Sequence, residues 1–309
     1  MTRSSDQEPV HGQTVLITGG TGGIGYQTAR ALVRCGANVI ITGREAEAGE
    51  RAAATIQREL GGGRQAVTFL QADHATVAGN RELANQVQAA FPQLNVLVNN
   101  VGGLYQTRWE TADGYEATLA MNFVGPFTLT GELLPLLQAN APARCINVVS
   151  AAFKMWKPDP FQDLQFTRPF VSGDAYERAK LLNVLISLAL AQRVAAEQVT
   201  VNLVHPGQAW TQMTQSMTSQ TIPSMRLVWP LVRLVQRRRS PERAGQRVAS
   251  LVVSPLAGVA TGQYFEGKPT PKRLSARELD RGYQERAWQL GWRLVADAAT
   301  ASERIADRG

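Results

Sequence analysis

The sequence of 309 residues contains no long hydrophobic run. None of its apolar stretches approaches the length of about 20 residues that spans a bilayer. Residues 1–12 are polar and lack the apolar core of a signal peptide. Cysteine is scarce: Cys35 and Cys145 fall on a predicted helix and a predicted buried strand, which disfavours a structural disulfide. No Cys/His cluster has the spacing of metal ligands. We therefore expect a soluble, cytoplasmic protein without a bound metal.

Acidic residues are outnumbered by basic ones, and the net charge is +7 with a sequence pI of about 9.8. Nucleic-acid-binding proteins gather their basic residues into patches or stripes. Here the arginines are scattered, and the only dense run is residues 237–239. No segment has the pattern of a nucleic-acid-binding module in which basic residues alternate with stacking aromatic residues. We expect no nucleic-acid partner, because a phosphate-rich cofactor and a generally basic surface account for the charge more simply.

Short apolar runs alternate with helical patterns along most of the chain. The predicted strands cover residues 13–18, 37–42, 66–71, 95–99, 144–149 and 199–204. The predicted helices cover residues 24–35 and 46–60, a segment ending near 91, residues 114–137 and residues 175–196. Continuous apolar runs are typical of strands that are buried on both faces, as in a parallel sheet covered by helices. The alternation predicts an α/β fold with a doubly wound, Rossmann-type parallel sheet.

No repeat or linker divides the chain, so we expect one such domain over residues 12–270. It is preceded by a polar tail, residues 1–11, and followed by a helical extension, residues 271–309. The run of glycines at 61–63 is interpreted as a loop between a helix and a strand.

A glycine-rich turn follows the first predicted strand and precedes the first predicted helix. Glycines occupy positions 19, 20, 22, 23 and 25, and Thr21 and Ile24 lie among them. Glycine permits positive φ and lets the backbone approach a pyrophosphate closely. The N-terminus of the helix offers free N–H groups and a positive dipole to that anion. The turn predicts a dinucleotide cofactor, and the alternative is an ordinary tight loop between a strand and a helix.

The end of the second strand distinguishes NAD from NADP. An acidic residue there would bind the ribose 2′-hydroxyl of NAD, but this strand is followed by Gly43 and Arg44. The guanidinium of Arg44 suits a 2′-phosphate, so NADP(H) is the predicted cofactor; alternatively, Arg44 is a solvated surface residue. Asp73, after the third strand, either binds the adenine amino group or caps the following helix.

Tyr176 and Lys180 are four residues apart in a helical pattern and therefore share one helix face. A nearby ammonium and a nicotinamide cation both favour the phenolate, so we expect them to lower the pKa of Tyr176. Such a tyrosine donates a proton to a carbonyl oxygen or accepts one from an alcohol. Considered alone, the spacing occurs often by chance, and a helix surface that bears one half-buried tyrosine is then the favoured interpretation.

Polar residues gather at the carboxyl ends of successive strands, the edge where open α/β sheets bind ligands. Ser150 follows the fifth strand, Asn122 lies in the helix before that strand, and Thr211 lies beyond the sixth. The remaining members are Asn99, Asn100, Val101 and Gly102 after the fourth strand, and His205, Pro206 and Gly207 after the sixth.

These motifs together resemble the short-chain dehydrogenase/reductase family over roughly residues 12–267. The resemblance implies that Tyr176 is the general acid/base, that Lys180 lowers its pKa and holds the nicotinamide ribose, and that Ser150 orients the substrate oxygen. It implies a proton relay supported by Asn122. The implied cofactor contacts are Gly19, Gly23, Ile24 and Gly25 at the pyrophosphate, Asn99 and Gly102 along the cofactor, and Pro206, Gly207 and Thr211 beside the nicotinamide.

A narrower resemblance is to the retinol dehydrogenase-like branch of that family. It is carried by the 26 residues that separate Ser150 from Tyr176, by the intervening sequence at 161–165, and by the segments 205–207 and 262–265. This branch typically reduces lipophilic aldehydes and ketones with NADPH. The chain departs from the family at position 101, where valine replaces the usual alanine, and at position 149, where valine replaces a common serine.

Residues 208–240 are predicted to form a lid over the substrate, because they follow the sixth strand and are rich in Met and Trp. The apolar residues are Trp210, Met213, Met217, Met225, Leu227, Trp229 and Leu231. Residues 225–239 also have the pattern of a basic amphipathic helix, so peripheral membrane contact is the alternative. Phe153, Met155 and Trp156 either line the same pocket or pack beneath the intervening segment.

The sequence thus predicts an NADP(H)-dependent oxidoreductase acting on a small lipophilic aldehyde, ketone or alcohol. The alternative is a non-catalytic NADP-binding sensor or scaffold, which would not need the proton donor Tyr176. A homo-oligomer is implied by the resemblance alone.

Overall fold

The computed structural model describes residues 10–59, 66–167, 169–218, 221, 234 and 239–306, the last six of these by backbone only. Its centre is an eight-stranded sheet in the order β3-β2-β1-β4-β5-β6-β7-β8. The strands are β1 (Thr14–Ile17), β2 (Asn38–Gly43), β3 (Val67–Gln71), β4 (Leu94–Asn99), β5 (Ala143–Val148), β6 (Val199–His205), β7 (Tyr264–Glu266) and β8 (Pro271–Lys272). All neighbouring strands pair in parallel except β7 and β8. The predicted doubly wound α/β fold is confirmed, and the first six strands lie within one residue of their predicted positions.

The helices lie on both faces of the sheet. They are α1 (Gly23–Arg34), α2 (Ala46–Glu59), α3 (Val77–Ala90), α4 (Ala117–Leu119), α5 (Gly125–Ala139), α6 (Ser172–Arg193), α7 (Gln212–Gln215), α8 (Pro241–Val252), α9 (Pro255–Val259), α10 (Ala276–Leu279) and α11 (Arg281–Ala306). The sequence analysis did not identify α8, which packs against α1. Gly245 permits this close approach, because a Cβ atom there would lie 2.5 Å from Gln27 Cβ.

The helix predicted over residues 114–137 is interrupted in the structure. After α4 the chain forms a π-helical turn, Ala120–Val124, and only then continues as α5. Periodicity cannot distinguish these forms, because a single wider turn hardly changes which residues face the core. Such turns are frequent at functional sites, and Asn122 lies at the centre of this one.

The core has one apolar layer on each side of the sheet. One face packs against α1, α2 and α8, and it includes Val10, a fully buried residue of the predicted polar tail. The other face packs against α3, α5 and α6. The C-terminal helix α11 then covers α6 from outside, so that α6 is buried around nearly its whole circumference. This explains why the sequence of α6 shows little amphipathic periodicity.

None of the described helices is both long enough and apolar enough to cross a membrane. In the same part of the chain, no group of three His, Cys, Asp or Glu side chains is arranged to hold a metal ion.

Candidate active site

The glycine-rich turn has the backbone conformation that its sequence requires. Gly19 and Gly23 have φ values of +66° and +55°, the left-handed region in which a Cβ atom is strained. Gly25 has no room for a side chain, because a Cβ atom there would lie 2.3 Å from the carbonyl oxygen of Gly19. The Asn100 side-chain amide donates to the carbonyls of Thr18 and Gly19 at 2.8 and 3.3 Å. This amide therefore fixes the shape of the turn, a role not assigned to Asn100 from the sequence.

The N-terminus of α1 suits an anion. Its N-cap, Gly22, makes no side-chain capping bond, and the first turn contains no acidic residue. The N–H groups that begin this helix therefore lack the side-chain acceptor that usually satisfies them. Thr211 lies on the opposite side of the turn, with its Cγ2 3.2 Å from the Cβ position of Gly23. The structure thus brings two distant predicted cofactor contacts, Gly23 and Thr211, together.

Arg44 lies beyond the carboxyl end of β2 and is exposed. Its backbone carbonyl accepts a hydrogen bond from Gln71 Nε2 at 2.8 Å, which fixes the chain while the guanidinium remains in solvent. Among the described residues, none of the ion pairs involves Arg44. Position 43 has no room for a side chain, because a Cβ atom there would lie 2.5 Å from Thr21 Cγ2.

Asp73 is also exposed at this edge, and one of its carboxylate oxygens accepts the N–H of Ala75 at 2.9 Å. The N-cap of the following helix is Thr76, whose side chain accepts the N–H of Gly79. Asp73 therefore closes a turn before the helix and does not cap the helix itself. Its contact with adenine stays a prediction.

Ser150, Tyr176 and Lys180 form one cluster at the carboxyl edge of the sheet. Ser150 follows β5, and the other two residues lie one turn apart on α6. Burial raises the pKa of the Tyr176 phenol to about 12, while a hydrogen bond with the Ser150 side chain acts in the opposite direction. With Lys180 in place, the phenol is thus held in its protonated form. The sequence predicted a lowered pKa, and this was wrong for the structure without cofactor, because burial of the phenol is the largest effect. A lowering by the positive charge of a bound nicotinamide stays a prediction.

The Lys180 ammonium is buried and donates to the carbonyl of Val148 at 3.1 Å. It lies 5.8 Å from the centre of the Tyr176 ring. Burial lowers the pKa of Lys180 to about 8, because the cation loses its hydration. A cation held in this way is still largely protonated at neutral pH, close to the phenol.

Asn122 adjoins the same ammonium. Its side-chain amide donates to the carbonyls of Gly103 and Thr118 at 2.7 and 2.8 Å, which leaves the buried Oδ1 atom without a partner among the described residues. Gly102 separates this oxygen from the cleft, and a Cβ atom there would lie 2.8 Å from Asn122 Oδ1 and 3.2 Å from Lys180 Nζ. An orphaned acceptor beside a cation and a glycine suits a site completed by a ligand or by water.

Asn183, not singled out in the sequence, donates through Nδ2 to the backbone carbonyl of Asn122 at 2.8 Å. Its spacing of three from Lys180 on α6 was the available signal, because residues three and four apart share a helix face. The side chain of Asn99 is directed toward α5 and β5. It donates to Thr130 and Asn147 at 2.8 and 2.9 Å, so its amide nitrogen is engaged and its backbone is the part left for a cofactor.

Pro206 and Gly207 lie where β6 leaves the sheet. The carbonyl of Pro206 accepts Arg247 Nη1 at 2.9 Å, and Gly207 has a φ of +90°. A Cβ atom on Gly207 would lie 2.3 Å from that same nitrogen. Arg247 of α8 therefore fixes the turn that the resemblance places beside the nicotinamide.

A long irregular segment connects Ser150 to α6, and Arg178 holds it in place. This arginine is 2% exposed and lies on the helix that carries Tyr176. Its guanidinium packs 3.9 Å from the ring centre of Phe166 and also approaches Trp156. Its donors bond to three consecutive backbone carbonyls, those of Gln162, Asp163 and Leu164.

Phe153, Met155 and Trp156 were predicted either to line the substrate pocket or to pack beneath the segment between Ser150 and Tyr176, and the three differ in this respect. Phe153 is fully buried and packs edge-on against Tyr264, so it belongs to the core. Trp156 is partly buried and packs edge-on against Phe166 in the segment held by Arg178. Met155 is 49% exposed and remains available to a ligand.

The predicted lid is described only in part, and Met225, Leu227, Trp229 and Leu231 lie outside the described residues. The two ends of the segment meet, because the N–H of Trp210 donates to the carbonyl of Arg239 at 2.8 Å. Thr221 is fully buried and ties the segment to the site. Its hydroxyl donates to Gln106 at 2.8 Å, and its carbonyl accepts the N–H of Gly173, three residues before Tyr176.

Comparisons with known proteins agree with this geometry. The family model described as short chain dehydrogenase matches residues 13–222. Human retinol dehydrogenase 14 is 32% identical over 306 residues, covering 94% of this chain and 88% of that protein. Human retinol dehydrogenase 13 is 35% identical over 292 residues, covering 93% of this chain and 85% of that protein.

Two solved structures show the same fold. A putative uncharacterized protein from Mycobacterium paratuberculosis superimposes with a TM-score of 0.72 at 25% identity, covering 96% of this chain and 98% of its own. The Pseudomonas aeruginosa RhlG/NADP active-site complex superimposes with a TM-score of 0.63 at 27% identity, covering 89% and 97%. The chain belongs to the short-chain dehydrogenase/reductase family of oxidoreductases and is retinol dehydrogenase-like.

Proposed function

We propose that the protein is an NADP(H)-dependent oxidoreductase that transfers hydride between the nicotinamide and a lipophilic aldehyde or ketone, or the matching alcohol. The observation that carries this proposal is the cluster of Ser150, Tyr176 and Lys180 at the edge of the sheet where the glycine-rich turn also lies.

Tyr176 is the group suited to move the proton. A phenol whose pKa is raised by burial is protonated at neutral pH, so it is ready to donate to a carbonyl oxygen. With a nicotinamide bound, its hydride would go to the carbonyl carbon, and Tyr176 would donate its phenol proton to the oxygen. The hydrogen bond with Ser150 places that residue within reach of the same oxygen. In the reverse direction the phenolate accepts the proton of the alcohol.

Lys180 and Asn122 would support this transfer from the other side. The buried cation stabilises the phenolate that remains after donation. Asn122 Oδ1, unpartnered among the described residues, offers an acceptor beside that cation. This pairing supports a relay through which Tyr176 regains its proton.

Arg44 supports the choice of NADP(H) over NAD(H). Its exposed guanidinium stands at the end of β2, where the ribose of the cofactor is bound in folds of this kind, and no described acidic residue neutralises it. The similar structure of Pseudomonas aeruginosa RhlG is an NADP complex, which agrees with this choice.

A lipophilic substrate is supported by the names of the relatives, which are retinol dehydrogenases. Apolar side chains that are at least partly exposed lie near the site residues in the chain: Met155 is five residues after Ser150, and Trp210 precedes Thr211, a predicted cofactor contact. By the resemblance we also propose a homo-oligomer, which light scattering on the purified protein would test. Of residues 225–239, the structure describes 234 and 239 alone, so membrane contact by this segment stays a prediction.

The test is NADPH oxidation by the purified protein against a panel of lipophilic aldehydes and ketones, with Tyr176→Phe alongside. We expect turnover by the unaltered protein and its loss in the variant, with NADPH binding preserved. Tyr283→Phe on α11 is a matched control and should retain full activity. Turnover that survives in Tyr176→Phe contradicts the proposed acid/base. Tight NADPH binding without turnover of any substrate by the unaltered protein would favour the sensor alternative.

A further inference from the structure

A second pocket lies away from the catalytic cluster, between α5, α6 and the C-terminal helix α11. Its enclosed volume is about 90 Å³, and it widens into an open mouth. Its walls are apolar, formed chiefly by Phe127 and Leu134 of α5, Leu190 of α6 and the indoles of Trp288 and Trp292. Ligand sites in proteins have mostly apolar walls with a few polar groups. The walls therefore suit an alkyl chain, which the open mouth allows to extend toward solvent.

The floor of this pocket is polar but uncharged. It consists of Thr130, Asn147 and Ser187, and no charged residue lines the pocket. These side chains are at least nine-tenths buried, although they lie in an otherwise apolar layer of the core. A charged ligand would find no compensating partner here, so the pocket excludes ions and selects neutral molecules.

The hydrogen bonds of the floor leave acceptors in excess. The hydroxyl of Ser187 donates to the carbonyl of Asn183 at 2.7 Å and keeps its lone pairs. Thr130 Oγ1 and Asn147 Oδ1 both accept from the amide of Asn99. Asn147 Nδ2 donates to Cys145 Sγ at 3.8 Å, and its second N–H is a donor left on the floor. The open acceptors of Ser187, Thr130 and Asn147 outnumber it, so a hydrogen-bond donor completes this floor better than another acceptor does.

The mouth of the pocket is shaped by two residues that face each other. Trp292 is 51% exposed, unusual for so large an apolar side chain, and packs edge-on against Phe127. Opposite it, Gly131 of α5 leaves the wall open: among the described residues, the only atom within 4 Å of its Cβ position is Trp292 Cη2, at 3.8 Å. A side chain at position 131 would therefore extend into the pocket without displacing the backbone.

We propose that this pocket binds an uncharged apolar alcohol, with its hydrocarbon body against the two indoles, which pack edge-on on each other, and its hydroxyl donating to the floor. The site is distinct from the catalytic cluster, and its occupancy does not depend on the function proposed above. Binding alone tests it, whether or not the protein turns over a carbonyl compound.

The experiment is calorimetric titration of the full chain with 1-octanol and, separately, with its methyl ether. The ether keeps the oxygen as an acceptor and lacks the O–H donor. We expect saturable binding of one octanol in this pocket and binding of the ether that is about threefold to tenfold weaker, the effect of one net hydrogen bond. Equal affinities for the two probes, or no saturable binding, would overturn the proposal.

Gly131→Leu fills the pocket, and Gly131→Ala is the matched control that adds only the first carbon. Octanol binding should persist in the alanine variant and weaken at least about tenfold in the leucine variant, since the leucine takes the space of the ligand body. Tyr176→Phe should bind octanol in this pocket as the unaltered protein does. Loss in Tyr176→Phe with retention in Gly131→Leu would place the alcohol in the active site and refute the proposal.

Two further measurements remove ambiguity. Ser187→Ala should bring octanol binding down toward that of the ether while leaving the ether unaffected, and this outcome remains informative if Gly131→Leu fails to fold. An octanol affinity unchanged in Ser187→Ala argues against the polar floor. Light scattering on Gly131→Leu should show an unchanged mass. A reduced mass would identify the pocket as a contact with a second copy of the chain, and the alcohol site would be rejected.

Discussion

Asn122 Oδ1 and Lys180 Nζ converge on Gly102, where a Cβ atom would lie 2.8 Å from the oxygen and 3.2 Å from the nitrogen. The two polar atoms come from different helical segments, so their meeting is a property of the fold. It makes a glycine at position 102 a requirement of the site, although the backbone there has no positive φ.

Gly102→Ala is therefore expected to displace the oxygen or the ammonium by several tenths of an ångström. Because misplacement of about 1 Å near the reacting groups costs on the order of 100-fold, we expect turnover to fall about 10- to 100-fold. Steady-state kinetics measures this effect, and Gly131→Ala, which has no such neighbours, should keep normal turnover. Normal turnover in Gly102→Ala would show that the pair does not need its present position.

The buried Lys180 predicts a pH dependence of stability. Its pKa falls from 10.5 in the unfolded chain to about 8 in the folded protein, so between these values the unfolded chain binds more protons. The contribution of Lys180 to the free energy of unfolding therefore rises with pH through this window, as the cost of burying the cation disappears.

Lys180→Met isolates this contribution from the other titrating groups. From about pH 7 to about pH 10, the unaltered protein should gain stability relative to Lys180→Met in urea unfolding. A constant difference between the two proteins across that range would mean that Lys180 keeps an ordinary pKa in the fold.

Arg44→Asp tests the cofactor preference. Loss of a charge-assisted contact, together with repulsion of the 2′-phosphate, should lower kcat/KM for NADPH about 10- to 100-fold. The new carboxylate should at the same time improve use of NADH. Arg51→Asp is a suitable control, because Arg51 is an exposed arginine on the nearby α2. Equal NADPH efficiencies in the two variants would remove Arg44 from the cofactor site.

Arg178→Met should loosen the segment between Ser150 and α6. It leaves three partly buried backbone carbonyls without their donor, and we expect the free energy of unfolding to fall by about 2–5 kcal/mol. Urea unfolding measures the loss, and Arg51→Met should change stability little. Arg178→Lys retains the cation but cannot reach all three acceptors, so its stability should lie between those of the unaltered protein and Arg178→Met. A stability close to that of the unaltered protein in Arg178→Met would mean that the carbonyls find water instead.

Much of the fold was predictable because each βα unit leaves its own local pattern. The apolar runs of β1 to β6 and the glycines of the first turn depend on burial and on φ, and both act within a few residues. Helix α8 was not predicted, although Ser240 and Pro241 form a start signal at its N-terminus. Its packing against α1 depends on Gly245, and a contact between such distant segments leaves no local pattern. The π-helical turn at Asn122 escaped for a similar reason, since its hydrogen bonds shift by one residue while the apolar pattern continues.

The candidate site divides in the same way. Tyr176 and Lys180 were identified from their spacing on one helix, and Ser150 from its position after a strand. Asn100 and Asn183 act through hydrogen bonds to the turn at Thr18 and Gly19 and to the backbone of Asn122, which are distant in the chain. The periodicity of a helix shows which residues share a face, but it does not show which distant groups they contact.

The sequence by itself determined the order of strands and helices, the glycines of the first turn and the helix face shared by Tyr176 and Lys180, because these follow from local sterics and burial. The tertiary structure alone decided that Arg178 holds the segment before α6 and that Asn122 meets Lys180 at Gly102. It also decided that α11 encloses a pocket against α5 and α6. These relationships depend on which surfaces meet when the helices pack on the sheet, and that choice is made by the whole core together.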